Sequence, residues 1–328
     1  MRKLLTYPVR EVAPYINWIY FFHAWGMEPR FAAVAEVHDC PSCRAGWVAS
    51  FDDSERVKAQ EAVNLYQEAM EHLRLWADEP ICHALFLLAD AYSDGDDIIV
   101  NGQVRIPFLR QQYTGKSGYT LCLSDFVREA NSLSSSQDGG ADIANRIGVF
   151  AATVSQPTLT SHHSPFTSHS SPLICSLLAD RLAEATAEKM HEEVRKYYWG
   201  YAKDERLTMA DLHAERFQGI RPAVGYPSLP DQSVNFLIDE LLRIGDVGIS
   251  LSATGAMIPH SSVSGFMFAH PKAQYFAVGP IGEDQLHDYS CRRGLSAETL
   301  RSFLVSNLEM KRHVRKNSIP DNLFIALL

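Results

Sequence analysis

The sequence predicts an α+β fold, with one domain over residues 1–328 and a twisted antiparallel sheet flanked by helices. Three observations carry this expectation. Two β-hairpins are legible, one across Asn101-Gly102 and one across His270-Pro271-Lys272-Ala273. Several long segments repeat apolar residues at helical spacing. Helical pairs separate the hairpins, without the regular strand–helix alternation of a doubly wound sheet.

Taken in order, Val63, Tyr66, Met70 and Leu73 mark one face of a helix over about Ser54–Trp76. Asp97–Val100 and Gly102–Ile106 form the first hairpin, because Asn-Gly tolerates the positive φ angles that a tight turn requires. Ile147–Val154 reads as a strand. Leu178, Leu182, Ala185, Met190, Val194 and Tyr197 define a long helix over Pro172–Tyr201. Its other face carries Glu188, Lys189, Glu192, Glu193 and Lys196, read as solvated charge. Thr208 with Asp211 forms a capping box that opens a short helix. Val234, Leu237, Leu241 and Leu242 give another apolar face, closed by Gly245. Gly248–Leu251 is a candidate strand. Val263–Ala269 and Gln274–Val278 form the second hairpin. A helix over Asp284–Arg293 stops at Gly294. Ser296 then caps a last helix bearing Leu300, Phe303, Leu304 and Leu308. Asn131–Ala141 and Thr158–Pro172, rich in serine with glycine or histidine, read as mobile loops.

Hydrophobic content of 46% and charged content of 21% are globular values, so a core can form without disulfides. The net charge is −9, and no Lys/Arg stripe is long enough to track phosphates. Nucleic acid is therefore not an expected partner. The cluster Lys311-Arg312-His313-Val314-Arg315-Lys316 reads as a solvated helix end. Apolar runs such as Ala84–Ala89 fall far short of the roughly 20 residues that span a bilayer. Pro8, Arg10 and Glu11 interrupt any signal core. No membrane partner and a cytoplasmic location are the expectation.

Familiar chemistry is missing. The sequence has no phosphate-binding G-x-x-x-x-G-K-[ST], no G-x-G-x-x-G and no G-x-S-x-G elbow. Asp211-Leu212-His213 begins like the cobalamin-ligating D-x-H-x-x-G signature, but Arg216 occupies its glycine position. Gly95-Asp96-Asp97 reads as an acidic turn. Of six cysteines, Cys40 and Cys43 form a C-x-x-C with His38 just ahead. A second pair for zinc is missing, and the flanks lack a strand-to-helix redox context, so ordinary reduced thiols are expected. His162, His163 and His169 read as part of a loop. No metal site is expected.

The richest segment is Arg221-Pro222-Ala223-Val224-Gly225-Tyr226-Pro227. Two prolines and a glycine exclude helix and central strand. A rigid loop remains, exposing backbone amides beside a guanidinium and a phenol. It suits a small ligand with a carboxylate and a flat ring, or it is a structural turn.

Extended through Ser228-Leu229-Pro230-Asp231, this segment resembles the S-adenosylmethionine-binding motif of the activation domain of cobalamin-dependent methionine synthase. Ordered matches follow at Ala256-Met257, Ser262–Gly265, Phe268–Pro271, Tyr275–Gly279, Ile281–Gln285, Asp288-Tyr289 and Arg292–Gly294. Earlier matches are Tyr15–Trp18 with Phe21-Phe22 and Trp25, Gly95–Ile98, Phe108–Gln112, Leu123–Val127, Leu178–Ala185 and Trp199–Ala202. The resemblance runs from about Tyr15 to Leu308.

The resemblance implies roles residue by residue. Arg221 binds the carboxylate of S-adenosylmethionine through a two-point fork. Backbone at Ala223 and Gly225 approaches the adenine side, where a larger residue than Gly225 is expected to block the ligand. Tyr226 offers a π-face to the sulfonium. Glu184 pairs with the ammonium, and Tyr275 lines the site. Asn17 stands where the family usually has an ammonium-contacting aspartate; losing that charge is expected to weaken binding by about 1–2 kcal/mol. The family's Thr-Glu-Ser-Phe run is Ser252-Ala253-Thr254-Gly255 here, without the glutamate.

The family's task is repair. Cobalt(I) in the synthase is occasionally oxidised to inactive cob(II)alamin; a one-electron donor, often flavodoxin, and S-adenosylmethionine restore methylcobalamin. A sulfonium has a good neutral leaving group, which accounts for the missing acid–base dyad. The expected cofactors are S-adenosylmethionine and a cobalamin carried by a partner. The expected partners are the cobalamin-binding part of methionine synthase and a flavodoxin-like donor. A stand-alone reactivation subunit and a fragment of a longer synthase both fit. So, as alternatives, do a non-catalytic S-adenosylmethionine sensor, a corrinoid-protein docking module and a diverged enzyme serving another corrinoid protein.

Overall fold

The computed structural model describes residues 1–114, 118–130, 145–155 and 172–308. The loop expectations over Asn131–Ala141 and 158–171, the histidines at 162, 163 and 169, and the basic cluster at 311–316 lie outside the described residues. Pro172 opens a helix.

The fold is α+β, built on a curled antiparallel sheet. Strand β1 (Arg2–Tyr7) is followed by helices α1 (Val9–Val12), α2 (Trp18–Ala24), α3 (Pro41–Ala49) and α4 (Arg56–Leu75). Strands β2 (Cys82–Asp94), β3 (Asp97–Val100), β4 (Val104–Pro107) and β5 (Arg146–Val154) follow. Then come α5 (Pro172–Glu193), α6 (Met209–His213), α7 (Val234–Leu242), β6 (Ser250–Leu251), β7 (Met257–Ile258) and β8 (Ser262–Met267). Helices α8 (Glu283–Arg293) and α9 (Ala297–Phe303) end the described chain. The main sheet runs β4-β3-β2-β5-β8, with β1 also on β2; β6 and β7 pair separately. Every one of these strand pairings is antiparallel.

The central strands β2 and β5 are buried on both faces. Phe86, Leu88, Phe150 and Ala152 point to one core, closed by Val63 and Leu73 of α4 and Leu178, Leu182 and Met190 of α5. Leu85, Ala89, Val149 and Ala151 point to a second core, closed by Val234, Ile238 and Leu242 of α7. A third, smaller core joins Leu286 and Tyr289 of α8 to Leu300 and Leu304. In area terms each fully buried Phe of the sheet, such as Phe86 or Phe150, contributes about 2–3 kcal/mol.

Most expected elements are present, including the Asn101-Gly102 turn with φ of 50° and 68° and the α8 stop at Gly294 with φ 65°. Three expectations need correcting. Helix α7 closes on Arg243 (φ 55°), because the Asp239 carboxylate accepts from Ile244 N–H and holds the chain there; Gly245 lies in the following 3-10 turn. Gln274–Val278 does not pair with β8 as a second hairpin. One side of β8 is taken by β5, and the Arg221 loop takes the other. The charged face of α5 is not solvated. The N-terminal segment covers it: the Tyr15 and Tyr7 hydroxyls donate to Glu192 and Glu193, and Lys189 pairs with Glu193 and Glu11.

Candidate functional site

The Arg221–Pro227 loop is held as an irregular strip along β8. Ile220 N–H donates to Phe268 O (2.9 Å), Phe268 N–H to Ile220 O (3.0 Å), Phe266 N–H to Pro222 O (3.1 Å) and Val224 N–H to Ser264 O (2.9 Å). Pro222 lacks a donor, so its carbonyl makes the contact. The approach needs Gly265: a Cβ there would lie 2.1 Å from Pro222 O. Gly225 has φ +89°, which demands glycine, but its Cβ would meet nothing within 4 Å. No protein atom crowds it, so the need is conformational. The 274–278 segment is tethered to this loop, through Val278 N–H to Pro227 O and Phe276 N–H to Ser228 Oγ.

Across from the loop, Glu184 and Glu188 stand one turn apart on α5 and face the same way. Arg221 Nη2 donates to Glu188 Oε2 at 3.0 Å, and the Tyr226 hydroxyl donates to Glu184 Oε1 at 2.8 Å. Arg221 N–H donates to the Tyr275 hydroxyl oxygen at 2.9 Å, so the tyrosine fixes the backbone that carries the guanidinium. These groups line a cavity of about 350 Å³, a size suited to a small organic ligand. Asn17, Tyr15 and Tyr20 close it from the N-terminal side; His213, the last residue of α6, and Glu215 just beyond it also line it.

Six of the seven expected residues line this cavity: Asn17, Glu184, Arg221, Ala223, Tyr226 and Tyr275. Gly225 shapes the loop without forming its wall. The Asn17 carbonyl oxygen also caps α2, accepting Ile19 N–H at 3.1 Å. The Ser252–Gly255 turn is not in the wall; Asn235 Nδ2 donates to Gly255 O and ties the turn to α7. Asp211 and Arg216 are a cap and its ion pair.

Sequence reasoning missed Glu188 and Glu215. The i,i+4 spacing of Glu184 and Glu188 was the available signal for the first. Glu215 offered none, because its position depends on a left-handed φ of 54°. Its carboxylate is open to water in the cavity mouth yet enclosed by protein on most sides. That burial lifts it to about 7, with Arg221 opposing and Glu188 assisting. Burial alone would lower the Arg221 pKa; Glu188, Tyr275 and Glu184 outweigh it and raise the value. Glu184 and then burial raise the Tyr226 phenol.

Of the cavity-lining side chains, two buried atoms make no hydrogen bond: Arg221 Nε and Glu188 Oε1, the latter 3.9 Å from the Arg195 guanidinium. A buried unpaired donor or acceptor costs about 1–3 kcal/mol, so a ligand or water that completes both atoms is favoured there. One demands an acceptor and the other a donor. A zwitterionic amino-acid end, with carboxylate and ammonium on one carbon, satisfies both.

The chain matches the family model described as vitamin B12 dependent methionine synthase, activation domain, over residues 8–294. It is also similar to a solved structure, the MetH reactivation domain bound to AdoHcy. Sequence identity is 32% and the TM-score 0.73, with 95% of this chain and 91% of that chain covered. The chain belongs to the activation-domain family of vitamin B12-dependent methionine synthase.

Proposed function

We propose that this chain binds S-adenosylmethionine in the Arg221 cavity and supports reductive methylation of cob(II)alamin to methylcobalamin. The cobalamin belongs to a partner, the cobalamin-binding part of methionine synthase, and a flavodoxin-like protein supplies the electron. The observation that carries the reading is the pair of unsatisfied atoms, Arg221 Nε and Glu188 Oε1, in one cavity. The AdoHcy bound to the similar reactivation domain, S-adenosylhomocysteine, has the same amino-acid end and adenosine.

When bound, S-adenosylmethionine supplies a methyl group on a sulfonium that leaves as a neutral thioether. The protein's own part is to hold and aim the donor. Arg221 takes the carboxylate and exchanges part of its contact with Glu188. Glu184, Glu188 and Glu215 supply negative charge for the ammonium. Backbone at Ala223 and Gly225 lies along the adenine side, and the Tyr226 ring faces the sulfonium. Among the described residues no helix is long and apolar enough to cross a membrane.

Titration calorimetry with S-adenosylmethionine and AdoHcy tests the site. The full chain is expected to bind both, and Arg221→Ala to weaken each at least tenfold, about 1.4 kcal/mol. Equal binding by the variant would sink the assignment. A second assay adds a cob(II)alamin-loaded partner and reductant. Methylcobalamin formation supports the repair role; binding without it favours a sensor or docking module.

A further inference from the structure

Outside the cavity, His38, Cys40 and Cys43 come together at the start of α3. One ligand atom of each lies within 4.8 Å of the other two, and among the described residues this is the group of three or more such side chains placed to share an ion. Cys40 is the N-cap of α3, extended at φ −116° and ψ 149°, and Pro41 fixes the first helical residue. Cys43 is therefore at N3, where its side chain returns toward the N-cap, as in a capping box. The Cys40 sulfur accepts Cys43 N–H at 3.3 Å, which sets the two thiols side by side. Cys40 N–H donates to His38 O at 2.8 Å, and this tight turn carries the imidazole onto the same end.

The scaffold beneath is fixed. Trp47 packs edge-on to Phe51, which stacks on Phe31, and the α3 helix lies against α4. Asp39, between His38 and Cys40, is occupied elsewhere: its carboxylate pairs with Arg74 at 3.1 Å and Arg44 at 3.8 Å. His38 and Cys43 are exposed and Cys40 half-buried, so an ion has an open entry path. Two sulfurs and one imidazole nitrogen are a borderline-soft donor set, which favours zinc-type cations over magnesium or calcium. Tetrahedral coordination would draw the three atoms to about 3.3–3.8 Å apart, a side-chain adjustment only.

We propose that His38, Cys40 and Cys43 form a binding site for a thiophilic divalent cation of the zinc type, with three protein ligands and a fourth position open to water. The two thiolates balance the charge of the cation, and the imidazole completes the set as a neutral ligand.

The test uses untagged, full-length protein in reducing buffer, titrated with Co2+ and then Zn2+. One equivalent of Co2+ is expected to give a thiolate-to-cobalt charge-transfer band that Zn2+ abolishes. Cys40→Ser and Cys43→Ser should each weaken binding at least tenfold, His38→Ala about tenfold, and Cys291→Ser not at all. A second readout needs no variant: bound Zn2+ should protect Cys40 and Cys43 from alkylation and leave exposed Cys291 reactive. The proposal is overturned by folded wild-type protein that shows no band, by a band that survives in the Cys40→Ser, Cys43→Ser double variant, or by equal alkylation with and without Zn2+. A Cys40–Cys43 disulfide persisting in reducing buffer, read as a loss of two hydrogens by mass spectrometry, also overturns it.

Discussion

Asn17 does two jobs with one amide. Its carbonyl oxygen caps α2, and the residue lines the cavity as a neutral amide. An amide N–H is the wrong partner for an ammonium. Asn17→Asp keeps a capping oxygen, since both residues are strong N-caps, and adds a charge. The substitution is expected to tighten AdoHcy binding by about 1 kcal/mol, roughly fivefold, at unchanged thermal stability. Calorimetry that finds equal or weaker binding would show that Asn17 does not face the ammonium. Glu215 makes a separate prediction. Its carboxyl, raised to about 7 by burial, gains charge as pH rises through neutrality. The groups it feels are Arg221, which opposes the shift, and Glu188, which adds to it. Ionised Glu215 attracts a ligand ammonium, so affinity should rise about two- to fivefold between about pH 6 and pH 8, the modest size reflecting its contact with water. Glu215→Gln should flatten that profile. An identical slope in the variant would assign the pH dependence to another group.

At the scale of elements, two glycines of one region separate crowding from conformation. Gly265 on β8 faces Pro222 O so closely that a Cβ would sit 2.1 Å away. Gly265→Ala must push the Arg221 loop off the strand, and a loss of about 2–3 kcal/mol with loss of ligand binding is expected. Gly225→Ala meets open space but sits at φ +89°, so a cost of about 1 kcal/mol is expected, with the loop still on β8. Chemical denaturation of both variants checks the order; Gly225→Ala costing more would reverse the assignment. The same region shows what sequence can and cannot disclose. Helices α4, α5, α7, α8 and α9 are legible because each buries one face, and α8 and α9 also carry cap signals at Gly294 and Ser296. Strand β2 is not, because both faces are buried and its 13 residues show no alternation. Strand β1 pairs with β2 through a partner about 80 residues away, which no local pattern encodes. The 274–278 segment has strand-like composition, yet its hydrogen bonds go to Pro227 and Ser228. At the site, the Arg221 loop is legible from proline and glycine chemistry. Glu188 hides within a charged stripe, and Glu215 depends on one backbone angle.

The cavity is assembled from the whole chain. Its wall draws Asn17 and Tyr15 from the N-terminal segment, Glu184 and Glu188 from α5, Glu215 from beyond α6, Arg221 and Tyr226 from the loop on β8, and Tyr275 from the segment tethered to that loop. Unfolding scatters these groups over some 260 residues of sequence, and no short stretch keeps enough of them to retain a ligand. A ligand that binds the native state alone therefore stabilises the entire fold by mass action. At a concentration a hundred times its Kd the gain is about 2.7 kcal/mol, which corresponds to a rise in Tm of about 4 °C for a chain of this size. Thermal unfolding followed by circular dichroism should show this rise with AdoHcy, growing with the logarithm of ligand concentration. Arg221→Ala should remove most of the shift, because the proposed binding mode gives the ligand carboxylate to that guanidinium. The ligand-free Tm of the variant tells what Glu188 does without its partner. If Glu188 is stranded as a buried charge the Tm falls; if it turns to Arg195, 3.9 Å away, the Tm holds. A wild-type Tm indifferent to saturating AdoHcy would mean that the six residues gathered around the cavity do not bind this ligand, whatever the similarity of the fold.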